Sequence, residues 1–311
     1  MAKNLAKLLA VCAGLLASAL LALPMPLPHE LSERTDLQLS GVAWSPAWSR
    51  YLLVSGEVTE AGSKHEPVLL TLSESGQLDS KPIRIEGIAE LNDAQSVTPG
   101  PPGTVFLCTS HSANKTGHLP EGRRRLLFVA LSSERTAKLL GQLDLSVARD
   151  AQGQPPWGAG TLDIEGAAFR EGALYLGLKS PLGTDGSATI LRLPDAVAVV
   201  QSGVLQRDAL SVWSRTRLCV PHDGSSICEG ISDLAFLPDG SLLITGNAPK
   251  GMPADGGGSL WKLSAPSTPA TLLKRFEGLK PEGVALAPDH TAAVVVFDTD
   301  GRPPIWIQCP L

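Results

Sequence analysis

One short phrase recurs five times along this chain of 311 residues. Each copy has a polar residue, a small residue, a hydrophobic pair and a turn, and a second apolar run follows it closely. Successive copies start 55, 70, 67 and 50 residues apart, at Ser40, Gln95, Glu165, Ser232 and Glu282. A repeat of this length, built from pairs of short strands, indicates a radial all-β array.

Each interval between two copies is long enough for four strands. Between the second and third copies, for example, strands are expected at 96–98, 104–108, 124–131 and 137–145. The 31 glycines and 25 prolines suit many tight turns. The sequence therefore predicts an all-β fold, a five-bladed β-propeller, with six blades if 197–218 hides a degenerate one. A two-sheet sandwich would explain the alternating strands but not the recurring phrase.

The two ends of the chain are expected to have different roles. Residues 1–22 read as a signal peptide, with Lys3 and Lys7 before an apolar run and cleavage near 19–22. Residues 23–36 form a Pro-rich leader, and 37–311 form one propeller domain. A strand near 36–39 is expected to pair with the C-terminal strand 304–309 and close the ring. An uncleaved N-terminal anchor is the alternative reading.

Charge and cysteine content narrow the possible partners and the compartment. The net charge of −5 offers no general attraction for nucleic acid or anionic lipid. We expect an exported monomer, periplasmic or extracellular, with no transmembrane span in the mature chain. Export permits disulfides, and Cys219 with Cys228 is the expected pair. A bond between Cys108 and Cys309 stays open, and metal binding by cysteines is a weaker alternative.

Polar residues recur at equivalent places in the repeats, where a propeller has its central channel. The first residues of the five phrases should face that channel, and the second strands should end beside it. Convergence of polar side chains on one axis is what a metal or small-ligand site requires. The channel is predicted to be lined by Ser40, Glu57, Asp93, Asp163, Ser232 and Asn247, together with the metal-binding and catalytic candidates.

Two sets of candidates supply chemistry. Oxygen ligands from Glu165, Glu282, Asp298 and Gln95 suit Ca²⁺ better than zinc. Lys179 and His111 could bind an anion or, with Glu165, act as catalytic groups. One arginine of the run 123–125 is expected to reach the mouth. The plainer alternatives are acids that accept backbone N–H bonds, a solvated lysine and a hydrogen-bonded histidine.

Four segments also carry a family resemblance, which covers most of residues 37–300. They are Asn92-Asp-Ala-Gln-Ser96, Thr109-Ser-His-Ser112, Asp163-Ile-Glu-Gly-Ala-Ala-Phe169 and Tyr175-Leu-Gly-Leu-Lys-Ser-Pro181. The chain resembles an uncharacterised bacterial family of secreted β-propellers, similar in style to esterase-like phytase propellers. It departs from that pattern at Gln95, where a glutamate is expected, and at Lys179, where an arginine is expected. Both changes weaken a cation or bidentate anion site.

Two functions follow as hypotheses. The first is a metal-assisted hydrolase of phosphate or carboxylate esters in the central polar channel, where the cation activates water and Lys179 and His111 stabilise negative charge. The second is a non-catalytic propeller of the cell envelope that binds a ligand or a protein. The chain contains no Gly-x-Ser-x-Gly elbow, Gly-rich phosphate loop or His-Glu-x-x-His motif that would favour another hydrolase class.

Overall fold

The computed structural model describes residues 25–26, 37–56, 65–114, 116–252, 254, 256–299 and 302–311. Nearly all of its regular structure is antiparallel strand, arranged in four-stranded groups. The first half of the chain gives three groups: β2 (Leu39–Ser45), β3 (Arg50–Ser55), β4 (Val68–Leu72) and β5 (Ile83–Glu86); β6 (Ala94–Pro99), β7 (Thr104–Thr109), β8 (Leu126–Leu131) and β9 (Ala137–Leu143); β10 (Asp163–Arg170), β11 (Ala173–Ser180), β12 (Ser187–Leu193) and β13 (Ser211–Arg217).

The second half adds a hairpin and two more groups. The hairpin is β14 (Cys219–His222) with β15 (Ser225–Cys228), and the next group is β16 (Gly230–Phe236), β17 (Leu242–Asn247), β18 (Gly258–Leu263) and β19 (Thr271–Phe276). In the last group, β1 (Met25–Pro26) pairs with β22 (Ile305–Pro310), followed by β21 (Ala292–Asp298) and β20 (Lys280–Leu286). One short helix, α1 (Ala196–Ser202), and a 3₁₀ turn (Glu121–Arg123) complete the described elements.

One strand of every group, the one that carries the recurring phrase, lies at the centre of the molecule. These innermost strands contact one another in the order β2, β6, β10, β16, β20, and β20 contacts β2 again. Five apolar clusters fill the spaces between neighbouring groups, so that the core is divided among the interfaces. The fold is a β-propeller. Because a parallel β5–β9 pairing joins two groups into one eight-stranded sheet, the number of blades, five or six, stays a prediction.

The recurring phrase has one structural meaning in all five copies. We number its positions 1 to 5, with position 1 at Ser40, Gln95, Glu165, Ser232 and Glu282. In every innermost strand the pairing register shifts by one residue at position 1. A β-bulge of this kind redirects one side chain out of the normal alternation. The five polar residues therefore occupy equivalent bulges at one end of the ring.

Position 2 brings the innermost strands together. It is Gly41, Gly166 or Gly283 in three copies, and a Cβ added at Gly283 would lie 2.9 Å from the backbone nitrogen of Val42. In the other two copies it is Ser96 and Asp233. The fully buried Asp233 carboxylate accepts bonds from the Ser96 hydroxyl (2.9 Å), the Val284 N–H (3.0 Å) and the Ala167 N–H (3.4 Å). One side chain thus links four innermost strands.

Several predictions about the ends and cysteines can be compared with this structure. The ring is closed by N- and C-terminal strands as predicted, but the segment that pairs with β22 is Met25–Pro26, whereas Leu39 begins β2. The Cys219–Cys228 disulfide is confirmed and joins β14 to β15. Cys108 and Cys309 are free and buried, so no bond joins them. The predicted signal peptide (1–22) lies outside the described residues, as does most of the leader (23–36).

The region suggested for a hidden blade, 197–218, contains most of α1 and the outer strand β13 of the third group. Among the described residues, no helix has the length and apolar character needed to cross a bilayer.

Candidate functional site

A cluster of charged and polar side chains lies where the innermost strands begin. We call it the polar mouth, and its members come from the bulges, from the residues just before them and from the ends of the second strands. They are Asp93, Gln95, Asp163, Glu165, Lys179, Ser232, Asn247, Glu282 and Asp298.

The second strands end at equivalent places around this mouth. Each second strand has one residue that pairs with position 2 of the innermost strand. Two residues further along the chain lie Gly56, Ser110, Lys179, Asn247 and Asp298. The structure therefore places Lys179, Asn247 and Asp298 in the register that the sequence predicts. His111 lies one residue beyond its equivalent place. Glu57, which follows Gly56, lies outside the described residues.

The amine of Lys179 occupies the centre of the cluster. Its Nζ donates to Glu165 Oε2 at 2.6 Å and to Ser232 Oγ at 3.0 Å, and it lies 3.9 Å from Glu282 Oε2. Burial alone would lower the pKa of Lys179, but the two glutamates outweigh that effect and raise it above its usual value. The lysine is therefore a fixed positive charge.

Glu165 and Glu282 do not share this charge equally. Glu165 is in direct contact with the ammonium, whereas burial and the neighbouring Glu165 and Asp298 raise the pKa of Glu282 to about 8. Glu282 Oε1 also accepts a bond from Asn247 Nδ2 at 3.2 Å. Burial also raises the pKa of Glu165, while the charge of Lys179 and its hydrogen bond oppose that shift. At neutral pH Lys179 is charged and Glu282 is protonated.

Asp163 adds a third titrating carboxyl. Its pKa is raised to about 7, first by burial and then by the negative charge of Glu165, while Lys179 and a bond from Ser112 oppose the shift. Asp163 and Glu282 both interact with Glu165, and burial is the largest cause that raises the pKa of each. Carboxyls whose pKa values lie near neutrality are suited to acid–base catalysis.

A second group of residues borders the first. Asp93 accepts a bond from Gln95 Nε2 at 2.9 Å and pairs with Arg123 at 2.9 Å. Arg123 is thus the arginine of the run that reaches the mouth; Arg124 instead lies 3.6 Å from Asp144. Asp298 lies 3.9 Å from Lys280.

Backbone bonds within and between neighbouring groups hold this border in place. The Gly56 N–H donates to Gln38, the Asp93 N–H to Gly56, the Ser110 N–H to Asp93 and the Ile164 N–H to Ser110, over 2.7–3.1 Å. The Ser40 hydroxyl donates to the Gln38 carbonyl.

His111 has a different environment from the one predicted for a catalytic group. It is 1% exposed, its Nδ1 lies 2.9 Å from the Thr109 carbonyl, and its Nε2 accepts the Leu145 N–H at 3.3 Å. Burial lowers the pKa of His111 to about 4, so that the ring is neutral. Both nitrogens bond to backbone, as in the plainer alternative for this residue.

The predicted metal ligands are brought to the same mouth. Glu165 and Glu282 flank Lys179, Gln95 bonds to Asp93, and Asp298 lies beside Lys280. Among the described residues, no group of three or more His, Cys, Asp or Glu side chains is arranged to hold a metal ion. The calcium site stays a prediction.

Comparison with known proteins finds structural likeness at low sequence identity. No protein-family model matches the chain, and no curated protein matches its sequence. Similar solved structures include the soluble aldose sugar dehydrogenase of Escherichia coli in its apo form (12% identity, TM-score 0.48, 89% of this chain and 97% of that one). A gluconolactonase from Xanthomonas campestris (12%, 0.44, 89% and 87%) and the glutaminyl cyclase of Myxococcus xanthus (10%, 0.43, 89% and 93%) are others.

Proposed function

We propose that the polar mouth is the active site of a hydrolase that cleaves small carboxylic esters. The observation that supports this most is the combination of a fixed ammonium with two carboxyls that titrate near neutrality, Asp163 and Glu282. The side chains of Glu165 and Glu282 are 15% exposed and that of Lys179 is 8% exposed. They can therefore be reached from the mouth, yet they act in a largely dehydrated environment where charge stabilisation is strong.

In this proposal each group has a separate step. The Asp163 carboxylate takes a proton from water, whose oxygen attacks the ester carbonyl carbon. Lys179 stabilises the oxyanion with its third N–H, since Glu165 and Ser232 use the other two. Glu282 then donates its proton to the departing alkoxide as the C–O bond breaks, which leaves a carboxylic acid and an alcohol. Solvent exchange moves the proton from Asp163 back to Glu282.

Charge favours carboxylic over phosphate esters. Among the described residues, the mouth and its border contain four acids besides the protonated Glu282, against three bases: Asp93, Asp163, Glu165 and Asp298 against Arg123, Lys179 and Lys280. A phosphate ester would enter against this excess, whereas a neutral carboxylic ester would not. The proposal leaves His111 out of the chemistry because backbone groups occupy both of its ring nitrogens.

The predicted calcium ion is not required for the hydrolysis proposed here. Glu165, Glu282, Asp298 and the carbonyl of Gln95 are the groups that would hold it, and it would supply a Lewis acid at the mouth. Because the Lys179 ammonium already neutralises Glu165, calcium would compete with an internal cation. Hydrolysis is therefore expected to continue in EDTA.

A binding module without catalysis is the second candidate. Its support is the internal completeness of the network: the ammonium of Lys179, the amide of Asn247 and the carboxyl of Glu282 all have partners within the protein. A polar network whose hydrogen bonds are all satisfied can hold loops in place without performing any chemistry. The Cys219–Cys228 disulfide supports an exported protein in either case.

The test is hydrolysis of p-nitrophenyl acetate, butyrate and phosphate as a function of pH. We expect the acetate and butyrate to be cleaved, with kcat/KM rising through pH 7 as Asp163 ionises and falling above pH 8 as Glu282 loses its proton. Glu282→Gln should lower kcat roughly 100-fold and remove the alkaline limb, and Glu165→Gln should lower it by a similar factor.

Glu171→Gln is the matched control, because this exposed glutamate contacts Arg170 away from the mouth. It should leave the rates unchanged. Full activity in both Glu165→Gln and Glu282→Gln would show that these carboxyls have no catalytic role. Binding of the esters without turnover would favour the binding module.

A further inference from the structure

The opposite end of the central channel contains a cavity of about 230 Å³. It is lined by positions 3 to 5 of β2, β6, β16 and β20 and by positions 4 and 5 of β10, and the layer that holds Asp233 and Ser96 separates it from the polar mouth. Its walls include Ala43, Ala168, Ala235 and Ala285 at position 4, and Trp44, Pro99, Phe169, Phe236 and Leu286 at position 5.

The side chains around this cavity carry almost no charge. Its lining contains no Asp, Glu, Lys or Arg, and His290 is its one titratable member. A charged ligand would lose its hydration here without gaining an opposite charge, which is costly. The occupant should therefore be neutral. Half-buried aromatic rings such as Trp44 and Phe169 offer apolar faces for a flat or ring-shaped molecule.

The backbone supplies the polar part of the lining. Each innermost strand pairs with a second strand on one edge, and its other edge faces the axis. Just after β16, the Leu237 N–H donates to the Ser241 carbonyl and so points toward the second strand. The N–H groups of Val284 and Ala167, both at position 3, instead point across the channel to Asp233. Pairing alternates along a strand, so positions 3 and 5 present their N–H and C=O groups to the axis.

At position 5 two of the five strands differ from the rest. Phe169 donates its N–H to the Thr98 hydroxyl, and Pro99 has no N–H. The N–H groups of Trp44, Phe236 and Leu286 occupy the equivalent places and face the axis by the same alternation. The cavity therefore combines apolar faces with backbone donors and acceptors in one small volume.

We propose that this cavity binds a neutral, hydroxyl-bearing ring compound of the size of one monosaccharide. A hydroxyl both donates and accepts, so it matches a lining where N–H and C=O groups alternate. The C–H faces of such a ring pack against aromatic side chains. The volume lies below the roughly 300–1,000 Å³ of sites for drug-sized ligands, which limits the occupant to about one ring.

The experiment titrates the protein with D-glucose, D-galactose and myo-inositol, followed by calorimetry and ligand-observed NMR. Gluconate serves as the charged comparator and cyclohexanol as the apolar one. We expect at least one neutral polyol to bind saturably with a roughly millimolar dissociation constant. Gluconate and cyclohexanol should bind at least roughly ten-fold more weakly.

Two pairs of variants locate the binding. Trp44→Leu should weaken it roughly five-fold, whereas Trp44→Tyr, which keeps an aromatic face, should stay within about two-fold. Leu286→Pro removes one axis-facing N–H and imitates Pro99, so binding should fall several-fold while the melting temperature holds. Asp195→Asn, outside the cavity, should change nothing.

Three results would overturn the proposal: no neutral polyol binds, a comparator binds as well as the polyols, or the polyols bind equally to all variants. Because this cavity and the polar mouth are separate, the outcome does not depend on ester hydrolysis.

Discussion

At the scale of single residues, Asp233 has the greatest structural effect. Its carboxylate accepts bonds from the Ser96 hydroxyl and from N–H groups on neighbouring strands, at the centre of the ring. Burial raises its pKa well above the usual value, while these donors oppose that shift. Such a buried group is tolerated only because its oxygens are bonded, and its removal leaves several donors without partners.

Asp233→Ala is expected to lower the free energy of unfolding by about 3 kcal/mol or more, because each abandoned buried donor costs about 1–3 kcal/mol. Ser96→Ala removes one donor and keeps the acceptor, so it should cost only about 1 kcal/mol. Urea denaturation of both variants checks the difference. An Asp233→Ala protein within about 1 kcal/mol of the parent would show that the central bonds contribute little.

Recurrence explains which site residues the sequence could predict. Glu165, Lys179, Ser232 and Glu282 lie together because a repeated phrase places equivalent residues at equivalent points of the ring. His111 was placed one residue too far along, since apolar runs do not show where a strand ends. Asp233 was missed: it stands where other copies have glycine, and an acid inside an apolar phrase was the available signal.

At the scale of elements, glycine at position 2 lets the innermost strands approach each other. A Cβ at Gly283 would lie 2.7 Å from a methyl of Val296 and 2.9 Å from the Val42 nitrogen. The Val42 nitrogen belongs to β2, so relieving this contact would require β2 to move. Gly56, at the end of β3, offers a comparison, because a Cβ there would meet its nearest neighbour, Ser40 Oγ, at 3.5 Å.

We therefore expect Gly283→Ala to destabilise the protein by about 1–3 kcal/mol, as overpacking does, and Gly56→Ala to change stability by less than about 0.5 kcal/mol. Thermal melting of the two variants side by side measures this. Equal melting temperatures would mean that β20 and β2 can separate without loss, against the packing described above.

Strand positions were predictable from turn residues, but some pairings were not. The strands 104–108 and 137–145 were expected almost where β7 and β9 lie. The parallel pairing of Ile85 with Ala137 joins two groups at their outer edges and depends on loop paths that no local pattern records. The same holds for the β1–β22 pairing, whose partners are about 280 residues apart along the chain.

At the scale of the whole molecule, the polar mouth makes stability depend on pH in an unusual direction. Asp163 and Glu282 hold protons in the folded protein at pH values where the unfolded chain has lost them, since their pKa values rise from 3.8 and 4.5 to about 7 and 8. Their contribution to stability is present below pH 4 and is lost as pH rises through 7 and 8. His111 acts in the opposite sense, because its pKa falls from 6.5 to about 4.

Between pH 6.5 and 8 the unfolded chain binds at most half a proton at His111, and this fraction vanishes as pH rises, whereas the two carboxyls still titrate in the folded protein. The free energy of unfolding should therefore fall as pH rises, by at most about 1.4 kcal/mol per pH unit for each proton. Glu282→Gln should flatten this slope, because glutamine keeps the shape and cannot ionise, whereas Glu171→Gln should not. Urea unfolding at three pH values from 6.5 to 8 gives the slope. A parent protein whose stability stays constant or rises across this interval would show that Asp163 and Glu282 are already ionised at pH 6.5, and the acid–base pair proposed for catalysis would then have no proton to donate.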